Sequence, residues 1–191
     1  MQAQQLLQKP AHLTWEESAS YGLTYYTAHR MLVDRAKIQP GQSVLVWGAG
    51  GGLGVFAVQL AAAVGARPIA VVSSPDRAEL CMSLGAVGVI DRSEFPGLPY
   101  RDGMTAAEEA DRVAAVKAFG RRIWEILGER TGVDVVFEHV GKSTFPASVF
   151  LANDFGRIVI CGATTGYNLT FDVRHLWMRQ KQIIGSHFAE A

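Results

Sequence analysis

The chain of 191 residues carries 18 basic and 18 acidic residues, so its formal net charge is zero and its pI is about 7.0. That balance offers no basic surface to draw nucleic acid or anionic lipid, so neither is expected as a partner. Hydrophobic residues make up 49% of it, which suits one domain with a sizeable core built on a buried parallel sheet.

Residues 1–13 read as a polar tail or the remnant of a preceding domain. The start, Met1-Gln-Ala-Gln-Gln-Leu-Leu-Gln8, lacks the charged region and long apolar core of a signal peptide, which points to the cytoplasm. Thr14-Trp-Glu-Glu17 is a capping box, and the helix it opens is predicted to run to about Arg35. Pro40-Gly41 turns into a first strand at 43–47. A helix then runs to Gly65, and Arg67–Ser73 is the second strand. Val44 to Val72 is apolar enough to suggest a membrane span, but its glycines, with Gln59, Arg67 and Pro68, divide it into strand, helix and strand. Ser74-Pro75 starts a helix with proline in its first position, Gly85 stops it, and Val87–Ile90 is the third strand.

A polar insert follows at about 92–130. Within it Thr105-Ala-Ala-Glu108 caps a helix whose Val113, Val116, Gly120, Ile123, Trp124 and Leu127 recur at helical spacing. Strand four is Val133–Glu138, and a helix near Ser143–Leu151 leads to strand five, Gly156–Cys161. A short helix around Val173–Arg179 and a strand at Gln182–Ser186 close the chain. Strands alternating with helices predict an α/β fold, a doubly wound six-stranded parallel sheet (Rossmann fold) with a helical insert between the third and fourth strands.

The richest stretch is Ser43-Val-Leu-Val-Trp-Gly-Ala-Gly-Gly-Gly-Leu-Gly54, followed by Val55-Phe-Ala-Val-Gln-Leu-Ala-Ala-Ala-Val64. An apolar strand, a glycine turn and a helix start in that order form a dinucleotide-binding unit. Gly50, Gly51, Gly52, Leu53 and Gly54 are the expected cofactor contacts, with backbone N–H groups over Gly51, Gly52 and Leu53 facing a pyrophosphate. Where an acidic residue would hold the ribose diol of NAD, about twenty residues on, this chain has Ser73, Ser74 and then Arg77. Hydroxyls and a guanidinium suit a 2′-phosphate, so NADPH is expected over NADH. The plain alternatives are a helix cap for Ser74 and a solvated helix residue for Arg77. Arg92 is placed to reach the same phosphate. The carboxyl ends of strands four, five and six put His139, Val140, Cys161, Gly162, Ala163, Ser186 and Phe188 near the nicotinamide and its ribose. For His139 a hydrogen-bonded structural role is the favoured reading. Cys81 and Cys161 read as buried free thiols, and no Cys/His cluster has metal-ligand spacing, so no metal is expected.

Several blocks together resemble the medium-chain dehydrogenase/reductase superfamily on its zinc-free side: Ala49-Gly-Gly-Gly-Leu-Gly54 with Gln59, Ser83-Leu-Gly-Ala86, and Gly162. Val136-Phe-Glu-His-Val-Gly141 with Thr144-Phe145, Leu176-Trp-Met178, Ile183-Ile-Gly-Ser-His-Phe-Ala189 and the insert's Arg101-Asp-Gly-Met104 and Phe119-Gly-Arg-Arg122 narrow it. These resemble the crotonyl-CoA carboxylase/reductases. The family commonly continues the Phe-Ala block with Asn, where this chain has Glu190.

The resemblance implies an NADPH-binding domain of a reductive carboxylase, with enoyl-CoA and CO2 as substrates. It also implies a catalytic domain that lies outside this chain and contributes most of the acyl pocket. It gives His187 the role of holding CO2 beside the substrate; by residue type alone His187 reads as a satisfied histidine at a strand end. Tyr25 and Tyr26 are expected to pack the first helix against that catalytic domain, and the last strand to pair with its copy in a homo-oligomer. The alternatives are a non-carboxylating enoyl-thioester or quinone reductase, and a dinucleotide-sensing module without chemistry.

Overall fold

The computed structural model describes residues 8–188. Six parallel strands, β1 (Ser43–Val46), β2 (Arg67–Val72), β3 (Gly88–Asp91), β4 (Val133–Glu138), β5 (Ala152–Ile160) and β6 (Gln182–Gly185), lie in the order β3-β2-β1-β4-β5-β6. The helices are α1 (Trp15–His29), α2 (Gly52–Ala63), α3 (Pro75–Ser83), α4 (Ala106–Leu127), α5 (Phe145–Leu151) and α6 (Arg174–Trp177). This is the doubly wound sheet read from the sequence, with α4 as its insert.

Because successive strand residues face opposite ways, β1 feeds two cores. Val44 and Val46 pack with Met31, Leu32, Ala57 and Val58 under α1 and α2. Leu45 and Trp47 pack with Phe119, Ile123 and Phe145 under α4 and α5. All four β1 residues are buried, which is why Val44–Val46 read as an unbroken apolar run. The insert is anchored by Phe119, whose ring stacks on Trp47 at 5.3 Å while Phe95 meets its edge at 5.1 Å. Capping boxes at Thr14/Glu17 and Thr105/Glu108 start α1 and α4, and Gly128 in a left-handed conformation (φ 76°) stops α4.

Boundaries depart from the sequence reading in three places. α1 stops at His29 and continues as a wide π-turn, Arg30–Arg35, in which Ala36 N–H bonds to Met31 O at 2.8 Å. That widening keeps Met31, Leu32 and Ala36 all buried. β5 begins at Ala152, directly off α5, and not at Gly156; between its pairings Val133↔Ala152 and Val135↔Arg157 residues bulge out. Phe155 there has φ 61° and is exposed, while Gly156 has no room for a side chain, Asn153 O lying 2.8 Å from a built Cβ. α6 spans only four residues. Tyr25 packs within this chain, edge-on to Phe56 of α2 at 5.7 Å, whereas Tyr26 is exposed.

The first turn of α2 lies hard against the end of β1. A Cβ at Gly54 would fall 2.4 Å from Gly48 O and 2.5 Å from Ala49 Cα, which is backbone and cannot give. Gly54→Ala is therefore expected to destabilise the chain by about 1–3 kcal/mol or more, as overpacking does. Urea denaturation followed by circular dichroism would check it; an unchanged midpoint would show that the helix can simply lift away.

Candidate functional site

Past the carboxyl end of β1 the chain turns to α2 on one face, while past β4 it turns to α5 on the other, leaving a crevice between. A cleft of about 710 Å³ opens there. It runs from Ser73, Arg77 and Arg92 at the ends of β2 and β3, past Gly50 and Gly51, to His139 and Val140 at the end of β4. Two arginines line it and no Asp or Glu does.

The glycines of the turn have different reasons. Gly48 has φ 59°, and a Cβ on it would come within 2.9 Å of His139 Nε2. Gly50 lies under the Arg77 side chain, whose Cβ would be 2.7 Å away. Gly51 and Gly52 are unlike these: a Cβ would meet only Gly48 O at 3.4 Å and Thr24 Cγ2 at 3.7 Å respectively, both ordinary contacts. The fold does not require glycine at either, and both are exposed. Gly51 N–H is already spent on Gly48 O at 3.0 Å, which corrects the donor set expected for a pyrophosphate. Gly52, Leu53 and Gly54 are the helix-start N–H groups without a partner among the described residues.

At the other strand ends, Ser73 is exposed in the cleft, and Ser74 is the N-cap residue of α3 but makes no side-chain capping bond, so it is neither the cap bond expected nor part of the lining. Asp91, the last residue of β3, accepts from Ser93 N–H at 2.8 Å. That backbone bond, reinforced by the Ser93 hydroxyl and Arg92, holds its carboxyl below the usual range. Ser93 joins Arg92 in the lining, and Phe95, Pro96, Leu98 and Pro99 form its apolar wall. This wall is tied across the mouth: Tyr100 N–H donates to Ser143 O at 2.8 Å, and Asp102 pairs with Lys142.

The β4 end is built on Glu138, which is completely buried. Its Oε1 accepts from Val140 N–H at 2.8 Å and Gly141 N–H at 3.1 Å, and its Oε2 from the Ser148 hydroxyl at 2.6 Å. Thr144 Oγ1 sits 3.1 and 3.0 Å from the two oxygens. Burial pushes this carboxyl upward against those four groups. His139 Nε2 donates to Trp47 O at 2.9 Å. Val140 O accepts from Thr165 N–H at 2.8 Å and Thr165 Oγ1 at 2.7 Å, bringing Thr164 and Thr165 into the lining.

Gly162 and Ala163 stand behind these threonines; Ala163 abuts Gly141, where a Cβ would lie 2.6 Å from its Cα. Cys161 is half-buried, and burial, with the charge of Glu138 second, pushes its thiol up to about 11. Ser186 N–H bonds to Ile160 O at 2.8 Å, and its hydroxyl is buried without a hydrogen-bond partner. His187 and Phe188 are exposed and outside the cleft lining; Ala189 and Glu190 lie outside the described residues. Thr164, Thr165 and Ser93 went unread in the sequence, although each follows a strand's carboxyl end within a few residues. Glu138 carried a signal too, as a carboxylate closing an apolar strand.

Among the described residues no group of three His, Cys, Asp or Glu could hold a metal ion, and no helix is long and apolar enough to cross a membrane. The family profile described as zinc-binding dehydrogenase matches residues 52–191. The chain is 48% identical over 191 residues to the crotonyl-CoA carboxylase/reductase of Cereibacter sphaeroides, covering 99% of this chain and 44% of that protein. A solved crotonyl-CoA carboxylase/reductase superposes with a TM-score of 0.93 at 50% identity, over 100% of this chain and 45% of that one. The 2-octenoyl-CoA carboxylase reductase CinF, in complex with NADP and 2-octenoyl-CoA, superposes with a TM-score of 0.85 at 43% identity, over 97% and 41%. The chain therefore spans less than half the length of these relatives.

The environment of Cys161 makes a chemical prediction. With the thiol near 11, roughly one sulfur in a thousand is thiolate at pH 8, and Cys81 is buried with its thiol raised by burial as well. Native protein is expected to react slowly with a chromogenic disulfide reagent and to release both thiols at once in denaturant. Fast native labelling of Cys161 would contradict the packing described.

Proposed function

The chain belongs to the zinc-binding dehydrogenase family of the medium-chain dehydrogenase/reductase superfamily and is homologous to crotonyl-CoA carboxylase/reductases, and from that premise we propose that it is the NADPH-binding half of an enoyl-CoA carboxylase/reductase. The family's name notwithstanding, no group of His, Cys, Asp or Glu able to hold a zinc ion is found among the described residues.

The observation that carries the reading is a crevice with two arginines, no carboxylate, and two glycines that the fold itself does not need. Such a lining fits an anionic dinucleotide and disfavours recognition of a bare ribose diol, which takes a carboxylate acceptor. The free N–H groups of Gly52, Leu53 and Gly54 would take the pyrophosphate, and Gly50 and Gly51 would let it approach. Arg77 and Arg92, with Ser73, would hold the 2′-phosphate, with Ser74, the residue before α3, behind them. His139, Val140 and the threonines 164 and 165 would bound the nicotinamide half, with Cys161, Gly162 and Ala163 as the packing behind it and Ser186 and Phe188 at its outer end.

NADPH, when bound, supplies hydride to the β-carbon of a crotonyl-CoA-like enoyl thioester. The resulting substrate enolate then captures CO2 at its α-carbon to give an alkylmalonyl-CoA. His187 would offer a donor to CO2 together with residues beyond this chain, in a pocket that excludes water. Its exposed position outside the cleft lining is the observation that favours a second reading, an enoyl-thioester reductase that protonates the enolate instead. Partners would be the acyl-CoA, CO2 and a second copy of the chain. β6 is the sheet's outer strand, with Ile183 exposed, and a parallel edge invites pairing.

Trp47 lines the cleft, so its fluorescence should report binding. NADPH is expected to bind the chain at least roughly tenfold more tightly than NADH, the worth of one or two charge-assisted hydrogen bonds. Arg77→Ala should narrow that ratio, and Gly52→Ala should weaken NADPH while leaving the melting temperature in place. Equal affinity for the two cofactors would overturn the phosphate assignment. In the full-length protein, His187→Ala should raise reduced over carboxylated product; an unchanged ratio would take CO2 positioning away from His187.

A further inference from the structure

Glu138 is a buried carboxyl for which the reaction proposed above has no use. Among the described residues no cation pairs with it; its partners are two backbone N–H groups and two hydroxyls. Burying such a group is costly unless each oxygen is satisfied, so its four partners have to stay where they are. All of them lie on the turn after β4, on the residue that starts α5 or within α5, and from this stretch His139, Val140, Ser143 and Thr144 line the β4 end of the cleft.

The network closes on itself. The Ser148 hydroxyl that donates to Glu138 also accepts the Trp47 indole N–H at 2.8 Å. The Trp47 carbonyl in turn accepts from His139 Nε2, and His139 is the residue next to Glu138. Because that acceptor is a carbonyl, Nε2 carries the ring proton and Nδ1 is left bare as an acceptor. On the other side, Val140 N–H is turned inward to Glu138, and Val140 O then holds both the N–H and the hydroxyl of Thr165. The same hydroxyl oxygen receives Ser143 N–H at 3.0 Å.

We infer that Glu138 is a positioning residue for the nicotinamide end of the cleft: through Val140, Gly141, Thr144 and the Ser148–Trp47–His139 relay it fixes one tautomer of His139 and docks the 164–165 loop. This rests on the cofactor reading above and deepens it. Glu138 touches no ligand; it decides which atoms of the β4 turn face one.

The test compares two ligands on Glu138→Gln and Ser148→Ala chains. NADPH fills both ends of the cleft, whereas 2′-phospho-ADP-ribose fills only the adenosine and pyrophosphate end. A positioning role predicts that NADPH binds on the order of tenfold more weakly to each variant, as coupled networks do, while the fragment stays within about twofold of the parent. Ser148→Ala leaves the carboxyl and its backbone donors in place, so it carries the test if Glu138→Gln fails to fold. Equal weakening of both ligands would overturn the inference in favour of a general structural role, and unchanged NADPH affinity would overturn it outright. If the parent chain binds neither ligand, the cofactor reading itself falls and this one with it; if it binds both, only the role of Glu138 is at stake.

Discussion

The closeness of α2 to the end of β1 governs the rest of the crevice. With a Cβ at Gly54 excluded by backbone on two sides, the helix start is pressed onto Gly48 and Ala49, and its free N–H groups point past the strand end. The short stretch Trp47-Gly48 is then gripped from the opposite side as well. His139 holds the Trp47 carbonyl, Ser148 holds its indole, and the His139 ring occupies the space a side chain on Gly48 would need. The glycine-turn end and the β4 end of the cleft therefore share one anchor. A shift at either would have to move β1, whose residues are buried on both faces of the sheet.

Burial of Glu138 belongs to the same economy of position. Burial pushes the Glu138 carboxyl upward, and a network that satisfies a buried polar group only in part is worse than an apolar filling. Here the carboxyl directly follows the apolar Val135–Phe137 of its strand, and the N–H groups it needs are those of a tight turn, with Gly141 at φ 89°. The turn supplies donors that would otherwise lie buried and unmet, and the carboxyl keeps the turn from relaxing. Each makes the other tolerable. The insert adds a second restraint from outside: Phe119 stacks on Trp47, and Tyr100 and Asp102 fasten the apolar wall to Ser143 and Lys142.

Much of this was legible in the residues. Period, caps and glycine stops placed six strands and their helices because the centres of β1, β2 and β4, Val44–Val46, Ile69–Val72 and Val135–Phe137, are buried on both faces and apolar. The misplacements have local causes. Nothing in Arg30–Arg35 announces a π-turn, since its bonds answer to the packing of Met31 and Leu32 on the sheet. The bulge at 153–156 exposes Phe155, against the expectation that an aromatic beside a strand is buried. At the site, residues on the glycine turn and at the ends of β2, β3 and β4 came together as their spacing implied. Which N–H groups were free did not, because the Gly51–Gly48 bond depends on the turn's conformation. The threonines at 164 and 165 escaped notice because only the fold of the 162–166 loop onto Val140 brings them round.

The polar groups that face the cleft are guanidiniums, hydroxyls, backbone amides and one imidazole whose Nε2 is already committed to Trp47. These are groups that recognise and orient a charged ligand. A nucleophile with its base is not among them: the nearer thiol, Cys161, is held protonated near 11 and stands outside the lining. Selectivity and geometry are thus what the lining of this crevice offers a ligand. Apolar surface is distributed in the same sense. The cofactor side is closed by both cores, whereas the region beyond β5 exposes Trp177, Met178, Ile183 and Phe188 around an outer strand. A cluster of exposed apolar side chains around an outer strand contrasts with the closed side and is the kind of surface that marks an interaction site.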